Sequence, residues 1–402
     1  MRKLLFVVTT GSNMGDLSLC QAWIADLGHR RYRYGFVLSP RLAPFLDPRD
    51  ERFFFAPEVH VRETILAAVE RFAADAVVVA CNGFWNLPGQ EGATFGSFPL
   101  EPHDLGVPVL SFDPFEIGFD LRLPGSAEAK RFAAVPHWVW ALRYMSLEPT
   151  SPNARHFRAR RAYAAARRRP RAETLARHGG DPDKRMLVYA VSRNRFDYIQ
   201  EHFPGYYRHL GGLLARPPLD RAQVFVLAPR PLPELAGLAH VRQVPFVPYE
   251  EFLALVGAAD LYLADSLLSC IVDAFHLGTP ALLLANSEAS RGLEAGSFLA
   301  GRFFPYRVFP YGMCEISEAL ERRFGIASCY EVAEVLNETE VVDRAAALLF
   351  DDERRAALKR ACRRWRRQRS ALPKPRAIVE EVLTAVPPTN QPNERGRDEQ
   401  QR

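Results

Sequence analysis

The sequence predicts the α/β class, as two Rossmann-like domains that face each other across a central cleft. Three observations lead there. Short apolar runs rich in Val, Leu and Phe alternate with segments of helical apolar spacing, the pattern of βαβ units and a parallel sheet. The alternation occurs twice, in 1–150 and again from 185 onward. The strand-like runs end in polar or glycine-bearing loops, and ligands of such sheets bind beyond the carboxyl ends of the strands. The length agrees, because 402 residues exceed one typical core.

The elements follow in order. "KLLFVVTT" (3–10) reads as a buried strand that runs into "GSNMGD". "LSLCQAWIADLGHR" (17–30) has helical spacing, and "YRYGFVLSP" (32–40) is the next strand. "RETILAAVERFAADAVVVACNGF" (62–84) repeats the phrase as a helix feeding a buried strand, and "GVPVLSFDPFE" (106–116) adds another. The first domain is thus set at 1–150. Residues 151–184 hold turn residues and a basic helical stretch without a strand-like core, and are read as the connection. In the second domain, 185–350, "RMLVYAVSRN" (185–194), "AQVFVLAP" (222–229), "ADLYLADS" (259–266) and "PALLLANS" (280–287) read as strands. "EEFLALVGAAD" (250–260) is a helix between two of them. From about 315 the pattern is mainly helical, with C-terminal helices at 351–385 and a polar, proline-bearing tail at 386–402 read as disordered.

Composition narrows the function. With 48% hydrophobic and 25% charged residues the chain reads as soluble and globular. "MRKLLFVVTTGSN" is read as a first strand and not a leader, and no later apolar run approaches the roughly 20 residues of a spanning helix. A cytoplasmic location is the expectation. The six cysteines show no CxxC pair and no Cys/His cluster at metal spacing, against a disulfide framework or zinc site. The net charge of +5 is concentrated in 155–171 and 359–369, nearly all as arginine. These runs read first as solvated helix faces and second as a contact for an anionic membrane surface. Nucleic acid ranks last, since no aromatic interleaving or binding module accompanies them.

The stretch "DSLLSCIVDAFHLGTPALLLANS" (265–287) carries the densest chemistry. A helix starting near Ser269 would point free N–H groups and its dipole at a diphosphate, with Ser266 and Ser269 adding hydroxyl donors. The same serines also suit N-capping, and Asp273 suits a first-turn acid. His276 reads as structural, and Gly278 and Pro280 as the helix stop and strand entry.

These residues resemble the donor region of the two-domain, nucleotide-sugar-dependent glycosyltransferases of the GT-B fold, as a divergent bacterial member. The likeness rests on "VRQVPFVPYEEFLALVGAADLYLADSLLSCIVDAFHLGTPALLLAN" (241–286) and on the opening loop and helix "GSNMGDLSLCQAWIADLGHR" (11–30). It implies a UDP- or TDP-sugar bound mainly by the second domain, an acceptor bound by the first, no metal and no further cofactor. It implies donor contacts from Phe246, Val247, Asp265, Ser266 and Ser269, and a ribose contact from Asp273. Two departures stand out: Ser266, Leu267 and Leu268 replace glycines, and Asn13, Met14, Gly15 and Asp16 stand where some relatives carry a histidine base.

An inverting transfer needs a general base. Asp16, Asp113 and Glu116 are the candidates, each after a predicted strand. Gly11, Asn13, Gly15, Asn82 and Trp85 are the acceptor-pocket candidates, and Arg193 and Asn194 could meet the donor phosphates, arginine as a bidentate cation. Two alternatives stay open: a nucleotide-sugar epimerase or hydrolase of the same fold, and a non-catalytic partner or scaffold of a transferase. Sugar, acceptor, stereochemistry and oligomeric state are not specified.

Overall fold

The structure, a computed structural model, describes residues 1–8, 14–54, 61–80, 105–112, 137–139, 154–156, 160–191, 196, 200, 205–264, 270–285 and 327–384. A first sheet of seven parallel strands has the order β3-β2-β1-β4-β5-β6-β7. These are β1 (Arg2–Val8), β2 (Tyr32–Leu38), β3 (Glu51–Phe54), β4 (Ala76–Ala80), β5 (Val109–Phe112), β6 (His137–Val139) and β7 (Ala154–His156). A second parallel sheet has the order β10-β9-β8-β11-β12-β13, formed by β8 (Met186–Ala190), β9 (Gln223–Ala228), β10 (Val241–Pro245), β11 (Leu261–Ala264), β12 (Ala281–Ala285) and β13 (Glu331–Glu334). Both are doubly wound: strand order reverses between β1 and β4, and again between β8 and β11.

The strand runs are apolar throughout because both faces of each sheet are covered. Alternation along β1 divides its side chains. Leu4, Phe6 and Val8 join the core that contains α1 (Met14–Leu27), while Leu5 and Val7 pack with Ile65, Ala68 and Phe72 of α2 (Val61–Phe72). β8 does the same. Met186, Val188 and Ala190 face the core shared with α6 (Tyr249–Ala258) and α7 (Cys270–Leu277). Leu187 and Tyr189 face α5 (Tyr206–Leu214) and α8 (Glu338–Phe350). Glycines at positive φ end two helices, Gly28 (+75°) after α1 and Gly278 (+79°) after α7, the latter the stop expected from Gly-Thr-Pro.

In the chain between β7 and β8 come α3 (Arg161–Arg168) and α4 (Arg171–Arg177), and after α8 come α9 (Asp352–Gln368) and α10 (Pro375–Thr384). α3 packs on α1, α6 and α7, and α10 returns to pack on α1. One continuous hydrophobic cluster therefore runs from Trp23 and Phe6 through Tyr163 to Phe275, Trp365 and Val379. Asp26 of α1 accepts the backbone N–H of Arg160 and, at 3.2 Å, of Arg161, so a side chain of one unit caps the helix leading to the other.

Four short strands depart from the expectation, the first being the edge strand β3. β7 falls inside 151–184, so the first sheet runs past residue 150 through the segment read as a connection. β6 and β7 have three residues each, too few for a period-2 signal. β13, "EVAE", lies in the stretch read as helical; it is an edge strand in which Ala333 is buried and the other three residues are half-buried. Among the described residues no helix is long and apolar enough to cross a membrane. The tail, 386–402, lies outside the described residues.

Candidate functional site

Parallel pairing aligns the carboxyl ends of the strands. In the first sheet Val8 pairs with Ala80 and Ala80 with Phe112. Gly11 and Asn13 follow β1 in the chain, Asn82 and Trp85 follow β4, and Asp113 and Glu116 follow β5; these six lie outside the described residues. Gly15 and Asp16 fall in the first turn of α1, described as backbone only. In the second sheet Tyr189 pairs with Leu263, Ala264 with Leu283, Ala190 with Leu227 and Ala228 with Pro245. Arg193 and Asn194 follow β8, and Asp265, Ser266 and Ser269 follow β11, again outside the described residues. The topology thus brings the chain positions that precede each candidate group to one edge of each sheet.

Phe246 and Val247, after β10, are described. Both are partly buried and pack against the shared core just before Pro248 and α6. The first turn of α6 carries Glu250 and Glu251, which favour the helix N-terminus.

α7 starts after β11 and contains Asp273 in its first turn. The Asp273 side chain is turned into the core. Asp273 is 1% exposed, and its Oδ1 accepts from the Tyr163 hydroxyl at 2.7 Å and the Tyr249 hydroxyl at 3.0 Å. The two hydroxyls lie 3.2 Å apart. A ribose hydroxyl could take Oδ1 only by displacing a tyrosine. The two tyrosine hydroxyls replace the water that this buried carboxyl gives up.

His276, one turn on, has the structural role expected. Its ring stacks on Tyr163 with centroids 4.2 Å apart and tilts against Trp365 at 5.0 Å. At the end of α7, Arg167 Nη1 donates to the His276 carbonyl at 2.7 Å, and Arg366 Nη1 donates to the carbonyls of Phe275 and His276. Cations at a helix C-terminus satisfy its orphan acceptors and oppose its dipole. Burial, and then the neighbouring arginines, pull both guanidinium groups below their usual proton affinity. Part of each basic run is therefore structural. Thr279 is likewise committed, donating to the Val256 carbonyl at 2.7 Å.

Among the described residues no group of three or more His, Cys, Asp or Glu is placed to hold a metal ion. Cys20, Cys329 and Cys362 are buried free thiols, and Cys362 Sγ lies 3.6 Å from the Cys329 carbonyl.

Sequence reasoning singled out Asp273 but missed Tyr163 and Tyr249. A signal for Tyr163 exists: within an arginine-rich stretch, Ala162, Tyr163 and Ala166 share one helical face, and all three are buried. Nothing in the sequence alone pairs that face with α7.

Comparison with solved structures places the fold. The chain is similar to the glycosyltransferase SnogD from Streptomyces nogalater, with a TM-score of 0.57 and 16% identity over 95% of this chain and 99% of that one. It is similar to the calicheamicin glycosyltransferase CalG4, with a TM-score of 0.56 and 16% identity over 95% and 97%. It is also similar to a Listeria monocytogenes protein assigned as a UDP-N-acetylglucosamine 2-epimerase, with a TM-score of 0.53 and 12% identity over 89% and 90%. The architecture, two parallel-sheet α/β domains, is that of the GT-B glycosyltransferases. No curated protein matches the sequence. A family profile matches residues 24–387, and the chain belongs to that family, described as a family of unknown function (DUF6365).

Proposed function

We propose that the protein is a glycosyltransferase that moves a sugar from a nucleoside-diphosphate sugar to an acceptor hydroxyl without a metal ion. The observation that carries this reading is the second sheet. Its order reverses between β8 and β11, and α7 is the helix that follows β11 in the chain, after residues 265–269. Helix N-terminus and switch point together favour a diphosphate. The chemical class is supported by a fold neighbour, glycosyltransferase VinC, with a TM-score of 0.55 and 12% identity, which is in complex with DTDP.

In this reading Asp265, Ser266 and Ser269 form the diphosphate loop before α7, with Arg193 and Asn194 after β8 as further donors. Phe246 and Val247 border the nucleoside. Gly11, Asn13, Gly15, Asn82 and Trp85 line the acceptor side, and one of Asp16, Asp113 and Glu116 takes the acceptor proton. The acceptor oxygen forms its bond to the anomeric carbon as the bond to the diphosphate oxygen breaks, and the departing charge is met by the α7 dipole and the loop donors.

The test is a thermal-shift screen of UDP, TDP and their sugars in the presence of a chelator. A ligand at about 100 times its Kd adds roughly 2.7 kcal/mol to the stability of the form that binds it. A shift unaffected by the chelator supports the reading, and no shift with any nucleotide diphosphate rejects it in favour of a non-catalytic partner. The fold likeness to the Listeria protein favours one second reading, epimerisation or hydrolysis of the nucleotide sugar. Donor consumption by the purified protein, with no acceptor added, would select it.

A further inference from the structure

We propose that Tyr163 and Tyr249 are positioning residues for the donor site, and that Asp273 acts through them to fix α7 without itself touching the nucleotide. This rests on the donor reading above. The geometry is a three-way latch. Tyr163 comes from α3, Tyr249 from the first turn of α6 and Asp273 from the first turn of α7. Both hydroxyls converge on the same carboxylate oxygen, at 2.7 and 3.0 Å, inside the core. Tyr163 makes a second contact with the same helix by stacking on His276, so α3 grips α7 at both of its turns.

The consequence follows from where the three helices lead. The residues immediately before α7 are the proposed diphosphate loop, and Phe246 and Val247 of the proposed nucleoside border are separated from Tyr249 by Pro248 alone. A latch at the first turns of α6 and α7 sets the spacing between the two halves of the donor site. α3 is tied in turn to the first sheet, because Asp26 of α1 accepts the N–H groups of Arg160 and Arg161 at its start. α3 is therefore part of the donor site's frame, and the placement of one sheet on the other is coupled to the donor loop. Packed elements with discrete hydrogen-bonded arrangements carry such coupling.

The experiment compares Tyr163→Phe with Tyr34→Phe in the full chain. Each substitution removes one buried hydroxyl; that of Tyr34 donates to the Gly28 carbonyl at 3.0 Å, in the first sheet. Melting temperature and Kd for UDP and TDP are measured for both. Tyr163→Phe weakens binding by about fivefold or more, the usual range of a coupling between sites, while Tyr34→Phe loses comparable stability and binds as the wild type does. A double-mutant cycle of Tyr163→Phe with Asp273→Asn gives a double variant that binds no worse than its weaker single parent. Wild-type affinity in Tyr163→Phe despite lowered stability overturns the proposal, as does strict additivity in the cycle. If the wild type itself binds neither nucleotide, the donor reading has failed. The same cycle read by urea unfolding then decides whether the latch exists as a structural unit, with additivity rejecting it.

Discussion

Glu251 gives the most quantitative prediction. Its carboxylate, in the first turn of α6, ties that helix to α3 and α4. Oε2 lies 2.5 Å from Arg169 Nη1 and Oε1 lies 2.9 Å from His178 Nε2, with Arg177 Nη1 at 3.8 Å. The side chains of Glu251, Arg169 and His178 are 17%, 24% and 14% exposed, between a surface pair and an interior one. Hydrogen bonds to charged groups contribute about 1.5–3 kcal/mol each and exposed ion pairs about 0–1, so Glu251→Gln should cost about 2–3 kcal/mol near pH 7. At roughly 2–4 °C per kcal/mol for a unit of this size, the melting temperature falls by about 5–10 °C. Burial alone would push this carboxyl up, but the hydrogen bonds and charges of His178 and Arg169 outweigh it and hold the carboxyl below its usual range. Because the folded value lies below the unfolded one, the stabilisation is complete above the usual carboxylate range and disappears as pH falls through the folded value. Calorimetric melts of wild type and Glu251→Gln should thus differ at neutral pH, and the gap should close as the pH falls through and below the usual carboxylate range. An unchanged midpoint at pH 7, or a gap that survives protonation of the carboxyl, refutes the reasoning.

Three further outcomes are expected. Arg366→Met strips donors from the Phe275 and His276 carbonyls at the end of α7 and should lower stability by about 1–2 kcal/mol in urea unfolding; no change would mean Arg167 and Gly278 suffice. Asp26→Ala removes the cap shared by Arg160 and Arg161 and should cost about 1–2 kcal/mol, with Asp26→Asn recovering most of it because an amide oxygen also accepts. Cys20, Cys329 and Cys362 are buried, so mass-mapped alkylation should label these three only after denaturation; labelling of any of them in the native state contradicts their packing.

The fold was legible because β1, β2, β4, β8, β9, β11 and β12 are central strands covered on both faces, and their apolar runs stand out from any register. The strands that escaped notice sit at or near sheet edges. β3, "ERFF", and β13, "EVAE", carry charged residues that an edge tolerates, and β6 and β7 have three residues apiece. The helix stop at Gly278 was legible for a local reason, the positive φ that glycine accepts.

The site was legible only as far as local chemistry reaches. A serine-bearing loop before a helix and an acid in its first turn can be read from spacing, but the meaning of that acid depends on what faces it. Asp273 meets a tyrosine 110 residues earlier in the chain and another 24 residues earlier. Neither distance has a sequence period. The arginines posed the same problem in reverse, because a run that reads as a solvated face also supplies Arg167 and Arg366 to buried carbonyls. The two observations bear on each other. Arg167 and Tyr163 are on α3, one turn apart, and grip the last and first turns of α7 respectively. A helix secured at both ends by one neighbour must move with it, so a displacement of α3 cannot leave the start of α7 where it was.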